Sequence, residues 1–297
     1  MLGEKVQLWD DNQNVSYTKY LTDNSYEIDI NRQRPAMIVC GGGAYLRISD
    51  REKEPVALFF LNQGYQVFVL DYTTNATGDA RYPNPVYDLA KMVSVIRQNA
   101  TAWKIHPDKI AAVGFSAGGH LCACLATQWH QTYLCEKLSV QSEMIKLNAA
   151  VLCYPLLDYI YSKMMLDKDP EKDLPPVTMP ETKNEIMKKV VKLAVGDNAT
   201  DEQLKNASPY YHVSEKTSPL FIWHTADDEL VYAGQSMRFA LKLEEHKVPY
   251  ELHVYQSGVH GLSLANKQTT GKSQFINDDV SGWVQLASRF LSRLFDL

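Results

Sequence analysis

The 297 residues carry 30 basic and 35 acidic side chains, a net charge of −5 with the two signs interspersed, so no basic face is offered to nucleic acid or to an anionic membrane. No run reaches the roughly 18 apolar residues of a membrane span, and residues 1–10 lack the basic start and apolar core of an export signal. The five cysteines, Cys40, Cys122, Cys124, Cys135 and Cys153, lie mostly in apolar segments without a C-x-x-C pair, which argues against a disulfide or metal framework and for buried thiols in a cytoplasmic protein.

In chain order, residues 26–30 and 36–40 read as strands, and the second runs into Gly41-Gly42-Gly43-Ala44-Tyr45, a loop whose amides can approach a bound group closely. Residues 66–70 form a third strand, with Gly64, Asp71 and Tyr72 as turn and strand-end residues, and residues 86–102 carry apolar side chains at helical spacing. The apolar strand 110–115 ends in Gly114-Phe115-Ser116-Ala117-Gly118 before the small residues 119–126. A serine between a strand and a helix in a G-x-S-x-G run is the context of a nucleophile elbow, where the glycines relieve crowding around a strained residue.

Residues 149–154 read as the next strand, after which 158–213 break the rhythm with Pro170, Pro175, Pro176, Pro180 and Pro209 and one convincing helix at 181–195. This stretch is expected to be a cap insertion shaping the pocket, with Tyr159, Tyr161, Met164 and Met165 available as lining. The run 220–224 precedes Asp227-Asp228-Glu229, and the alternating strand 251–255 precedes Ser257-Gly258-Val259-His260-Gly261. The last helix, 280–297, places Trp283, Val284, Ala287, Phe290, Leu291 and Leu294 on one face, with Asp278-Asp279 expected to cap it. Strands alternating with helices predict an α/β fold, a mostly parallel central sheet with helices on both faces. With no linker composition, residues 1–297 are expected to form a single domain containing the 158–213 insertion.

The chemistry follows from the elbow. A serine nucleophile needs a base, an acid to orient that base, and donors for an oxyanion, with acid and base following the serine in this architecture. Ser116 is the nucleophile candidate, His260 the base, and Asp227 or Asp228 the acid; either aspartate could instead cap the helix starting near Ala233 or close a turn. The Gly42 and Gly43 amides, with that of Ala117 at the helix start, are the oxyanion-hole candidates. Tyr45 is expected either to line the substrate pocket or to pack in the core. His120 and His224 are expected to be structural, Arg51 and Glu52 to pair with each other or with nearby backbone, and no histidine spacing suits a metal.

Cys40 to Tyr45, Ser49-Asp50-Arg51-Glu52, Trp103 through Pro107-Asp108-Lys109-Ile110, Gly114 to His120, Trp223-His224-Thr225-Ala226-Asp227-Asp228 and His260-Gly261-Leu262-Ser263-Leu264 occur in order. Together they resemble the α/β-hydrolase superfamily of serine esterases, in particular the acetyl esterase and xylan esterase group, often labelled lipase/esterase-like. The resemblance implies an α/β-hydrolase fold and a serine carboxylic-ester hydrolase that works through an acyl-enzyme without a cofactor, on a short acyl group, acetyl, carried by a carbohydrate or another small alcohol. It favours Asp228 as the acid, because the family has a valine three residues later and Val231 stands there. Gly41 replaces the family's proline and Ala44 its last glycine, which leaves open which two loop amides form the hole. The implied partner is a small-molecule ester, with no nucleic acid or membrane and with homo-oligomer formation open. Rival readings are a hydrolase of another acyl bond, arylformamidase-like or peptidase-like, and a non-catalytic binding protein on the same fold.

Overall fold

The computed structural model describes residues 3–297; Met1 and Leu2, which open the amino-terminal stretch read above, lie outside the described residues. Eight strands, β1 (Glu4–Gln7), β2 (Ser16–Tyr20), β3 (Arg34–Cys40), β4 (Gln66–Asp71), β5 (Ile105–Phe115), β6 (Ala149–Cys153), β7 (Leu220–Thr225) and β8 (Tyr250–Tyr255), form one sheet in the order β1-β2-β4-β3-β5-β6-β7-β8. The pairs from β4 through β8 are parallel, and β1 and β2 add an antiparallel edge. Strands β3, β6 and β7 are buried along their whole length. Their unbroken apolar runs are those of strands covered on both faces.

Alternation along each strand divides the core in two. Met37, Val39, Val113, Phe115 and Trp223 face one layer with Phe60, Trp283 and Phe290, while Ile38, Ala112, Leu152 and Ile222 face the other with Leu89, Leu121 and Leu125. The helices are α1 (Glu54–Asn62), α2 (Asn84–Gln98), α3 (Ala117–Gln128), α4 (Thr132–Leu138), α5 (Tyr159–Lys168), α6 (Lys183–Ala194), α7 (Asp201–Asn206), α8 (Gly234–Glu245) and α9 (Trp283–Phe295). Among the described residues no helix is long and apolar enough to cross a membrane.

Several expectations need correction. Residues 26–30 are not a strand: the Ser25 carbonyl accepts the Ile28 and Asp29 amides in a turn, and Tyr26, Ile28 and Ile30 are 89, 76 and 37% exposed. The sheet edge is formed instead by the more polar β1 and β2. Helix α2 stops at Gln98, where the Asn99 side-chain Nδ2 donates to the Val95 carbonyl at 2.8 Å. Helix α9 starts from Gly282 without a side-chain cap, and Asn277, not Asp278 or Asp279, receives the Val280 amide.

The 158–213 stretch holds three α-helices rather than one. Asp158 caps α5, Thr182 and Glu185 form a reciprocal capping box on α6, and Thr200 and Gln203 form another on α7. The stretch docks on the body of the fold through Ala194 O, which accepts the Tyr82 amide at 2.7 Å, and through Ala207 O beside His120. Tyr159 is buried against His120 with ring centres 5.4 Å apart, whereas Met164 is exposed. Tyr159 therefore packs in the core against His120 and also borders a cavity between the helices of this stretch, with Leu166 and Met187.

Candidate active site

Strand β5 delivers its chain into Ser116, whose backbone sits at φ 51° and ψ −112°, and α3 begins at the next residue. Such a conformation costs a non-glycine residue on the order of 1–3 kcal/mol and needs rigid surroundings. They are present. The Ser116 amide donates to Cys153 O on β6 at 3.0 Å, and the Ser116 carbonyl receives the His120 amide at 2.9 Å. A Cβ on Gly118 would lie 2.1 Å from Cys40 O, and one on Gly114 2.2 Å from Gly118 O. Only glycines let the end of β3 cross so close to the elbow.

His260 and Asp228 reach the serine from the loops after β8 and β7. His260 Nε2 lies 2.9 Å from Ser116 Oγ, and Nδ1 lies 2.8 Å from Asp228 Oδ2. With its Nδ1 proton held by the carboxylate, the ring presents an Nε2 lone pair to the serine hydroxyl. Burial alone would lower the His260 pKa, but the Asp228 carboxylate, with smaller contributions from Glu52 and Glu229, holds it above its ordinary value. Burial would raise Asp228, yet His260 and His224 keep it well below the usual carboxylate range.

The two aspartates separate cleanly. Asp228 Oδ1 accepts the Leu230 and Val231 amides at 3.0 and 2.9 Å, so the valine three residues on acts through its backbone. Asp227 instead accepts from Ser257 Oγ and the Gly258 amide, both at 2.7 Å, and so clamps the loop that carries His260. His224 is fully buried, takes the Ser236 hydroxyl at Nδ1, and directs Nε2 to Val231 O at 2.7 Å and Asp228 Oδ2 at 3.2 Å. It braces the acid.

The glycine loop corrects one oxyanion candidate. The Gly42 amide donates to Glu52 Oε2 at 2.7 Å and is not free for a substrate oxygen. The Gly43 and Ala117 amides have no protein acceptor among the described residues. Gly43 (φ 136°), Ala44 (φ 57°) and Tyr45 (φ 56°) turn the chain sharply, and a Cβ on Gly43 would lie 2.1 Å from Arg47 O. Ala44 takes up the left-handed conformation in place of the family's glycine at a cost of roughly 1–2 kcal/mol.

Tyr45 belongs to the core. It is 2% exposed, its hydroxyl lies 2.6 Å from His120 Nδ1, and its ring packs edge-on against Tyr72 and His120. His120 Nε2 faces the Ala207 carbonyl at 2.6 Å, an acceptor only, so Nε2 carries the proton and Nδ1 accepts from Tyr45. Burial lowers the His120 pKa to about 4, so it stays neutral. Arg51 and Glu52 do not pair with each other: Arg51 Nε donates to Thr269 O at 2.9 Å, and Glu52 takes the Gly42 amide.

Sequence reasoning missed Tyr154 and the full part of Glu52. The Tyr154 hydroxyl donates to Glu52 Oε1 at 2.5 Å and accepts the Ser263 amide at 3.0 Å. Its ring centre lies 5.1 Å from that of His260 and 5.0 Å from Trp223, which in turn stacks on Trp283 at 5.4 Å. Among the described residues no cluster of three or more histidine, cysteine or carboxylate side chains is arranged to hold a metal.

Residues 26–243 match the BD-FAE family. Endo-1,4-beta-xylanase B of Butyrivibrio fibrisolvens is 30% identical over 241 residues, 80% of this chain and 34% of that protein. The acetylxylan esterase of Xylanibacter ruminicola is 26% identical over 207 residues, 65% of this chain and 40% of that protein. The chain thus spans less than half the length of either relative. Among solved structures, MGS-M1, an alpha/beta hydrolase enzyme from a Medee basin deep-sea metagenome library, is 33% identical with a TM-score of 0.74, covering 100% of this chain and 99% of that one. The acetyl ester-xyloside bifunctional hydrolase of Caldicellulosiruptor lactoaceticus is 27% identical with a TM-score of 0.76, covering 99% and 97%.

Proposed function

From the premise that the chain belongs to the BD-FAE family and has the α/β-hydrolase fold, we propose that it is a serine carboxylic-ester hydrolase acting through an acyl-enzyme. The observation that carries the reading is the unbroken relay from Asp228 through His260 to Ser116, at 2.8 and 2.9 Å, on a serine held at φ 51°.

Ser116 Oγ attacks the ester carbonyl while His260 Nε2 takes its proton, and the imidazolium then protonates the departing alcohol. Asp228 keeps the Nδ1 proton in place and favours the imidazolium. The negative oxygen of the tetrahedral intermediate is received by the Gly43 and Ala117 amides, each such donor being worth about 3–4 kcal/mol of barrier in a measured case. Water, activated by His260, releases the acid in the second half. No cofactor takes part in these steps.

For the substrate we assign a short acyl group, acetyl, on a carbohydrate, a reading supported by the acetylxylan esterase and acetyl ester-xyloside hydrolase among the similar proteins. Five free thiols, four of them buried, favour a reducing compartment, the cytoplasm.

Fluorophosphonate labelling followed by peptide mapping tests the mechanism. The adduct is expected on Ser116, and Ser116→Ala should lose more than about a thousandfold of p-nitrophenyl acetate turnover while keeping its thermal transition. A folded variant with substantial turnover refutes the reading.

A further inference from the structure

The relay leaves a second buried carboxylate unused. Glu52 closes the short 3-10 turn Asp50–Glu52, is 4% exposed, and accepts hydrogen bonds from two different loops: Oε2 from the Gly42 amide at 2.7 Å and Oε1 from the Tyr154 hydroxyl at 2.5 Å. Because the Tyr154 oxygen also accepts the Ser263 amide at 3.0 Å, its one proton is committed to Glu52. Both partners are donors, which suits an ionised carboxylate. Burial pushes the Glu52 pKa up, and the bonds from Tyr154 and Gly42, with His260 and Arg51 nearby, oppose that rise.

Keeping an ion at such a place is costly, and an apolar side chain of similar shape would serve packing better. What Glu52 touches suggests another role. A Cβ on Gly42 would lie 3.0 Å from Ser116 Cβ and 3.0 Å from Glu52 Oε2, so the carboxylate grips the peptide that runs directly beside the nucleophile. Holding the Gly42 N–H sets the orientation from which the chain turns to present the next amide, Gly43. On its other side Glu52 holds Tyr154, whose ring packs on His260 and whose oxygen anchors Ser263 in the loop beyond that base.

We propose that Glu52 is a positioning residue for the reaction: its buried carboxylate locks the oxyanion loop through Gly42 and, across Tyr154, sets a second negative charge behind His260 that favours the imidazolium. The inference rests on the serine-hydrolase reading above. The charged or titratable groups bearing on His260 are Asp228, Glu52 and Glu229, with Tyr154 against its ring and His224 behind Asp228. Removing the Glu52 charge makes the protonated ring less favourable, so the acid limb of the rate profile moves to lower pH.

The experiment measures kcat and KM for p-nitrophenyl acetate against pH for the wild type and Glu52→Gln. The variant should lose roughly 10- to 100-fold in kcat with KM changed less than about threefold, and its acid limb should fall by roughly 0.5–1 pH unit. The limb decides, since a packing defect would also lower kcat. A folded variant whose limb does not move overturns the proposal. Where Glu52→Gln fails to fold because its amide NH2 meets a donor, Glu52→Met, of similar length and without that NH2, is measured in the same way, and an unmoved limb there overturns the proposal equally. A wild type that neither hydrolyses the ester nor takes fluorophosphonate at Ser116 overturns the hydrolase reading itself; an active wild type with an unmoved limb in the variant overturns only the part assigned to Glu52.

Discussion

Asp227 and Asp228 are neighbours in sequence, yet Asp228 holds His260 Nδ1 at 2.8 Å while Asp227 clamps the Gly258 amide at 2.7 Å on the loop that carries the same histidine. One orients the His260 imidazole directly and the other fixes its loop. Asp228→Asn, which forces the wrong imidazole tautomer, should lower kcat by about a thousandfold or more. Asp227→Asn, which keeps an acceptor for Gly258, should lose less than about tenfold. Steady-state kinetics of the two variants check this, and the reverse ranking would assign the acid to Asp227.

The pH profile should follow His260. The ring must be neutral to accept the serine proton, and its pKa is held above the ordinary value chiefly because Asp228 outweighs burial. Activity should therefore be present at high pH and lost as pH falls through an apparent value above about 6.5. Asp228, held far below the usual range, remains ionised throughout. A kcat/KM profile still flat at pH 5 would contradict the assignment of His260 as the base.

Gly118 should tolerate no side chain. A methyl group there meets Cys40 O at 2.1 Å and Gly41 O at 2.6 Å, both backbone atoms, whereas Gly282 at the start of α9 has nothing within 4 Å. Gly118→Ala is expected to cost at least about 2 kcal/mol of stability or to prevent folding, and Gly282→Ala to change it by less than about 0.5 kcal/mol. Thermal or denaturant unfolding of both variants reads the difference. Equal stabilities would mean that β3 does not approach the elbow this closely.

Acyl length gives the next prediction. Tyr45, His120 and Tyr159 pack together beside the end of the oxyanion loop, with ring centres 5.7 Å apart for Tyr45 and His120 and 5.4 Å for His120 and Tyr159. That leaves little volume there for a long chain. Acetyl and propionyl p-nitrophenyl esters should exceed octanoyl in kcat/KM, with each methylene that finds no room worth about 1–3 kcal/mol. A flat profile to long chains would mean that an open acyl channel lies elsewhere.

Much of this was legible in the sequence where burial on both faces wrote itself as an apolar run. Strands β3, β4, β6 and β7 fall where the apolar runs stand, β5 extends back from the predicted 110–115 to Ile105 through the polar residues 106–109, which pairing with β3 holds in the sheet, and Ser116, His260 and Asp228 lie in the loops after their strands. The spacing of Tyr26, Ile28 and Ile30 imitates a strand, but spacing does not say whether anything covers the residues, and these three stay in solvent. Glycines 41–43 signalled free amides without saying which would be claimed, because the claimant, Glu52, folds back from a turn ten residues further along. Helix α7 was missed although Thr200 and Gln203 spell a capping box, since six residues are too few to show a periodic apolar face.

The ring series Trp283, Trp223, Tyr154 and His260, with centres 5.4, 5.0 and 5.1 Å apart, runs from the last helix to the base. An indole fluorophore thus stands one ring away from the imidazole. Charge appearing on that imidazole is expected to act on the excited state of Trp223 across a buried, low-dielectric path, so a change in intrinsic emission on protonation of His260, read against the signal of Trp9, Trp103 and Trp129, is the expected outcome of a label-free fluorescence titration.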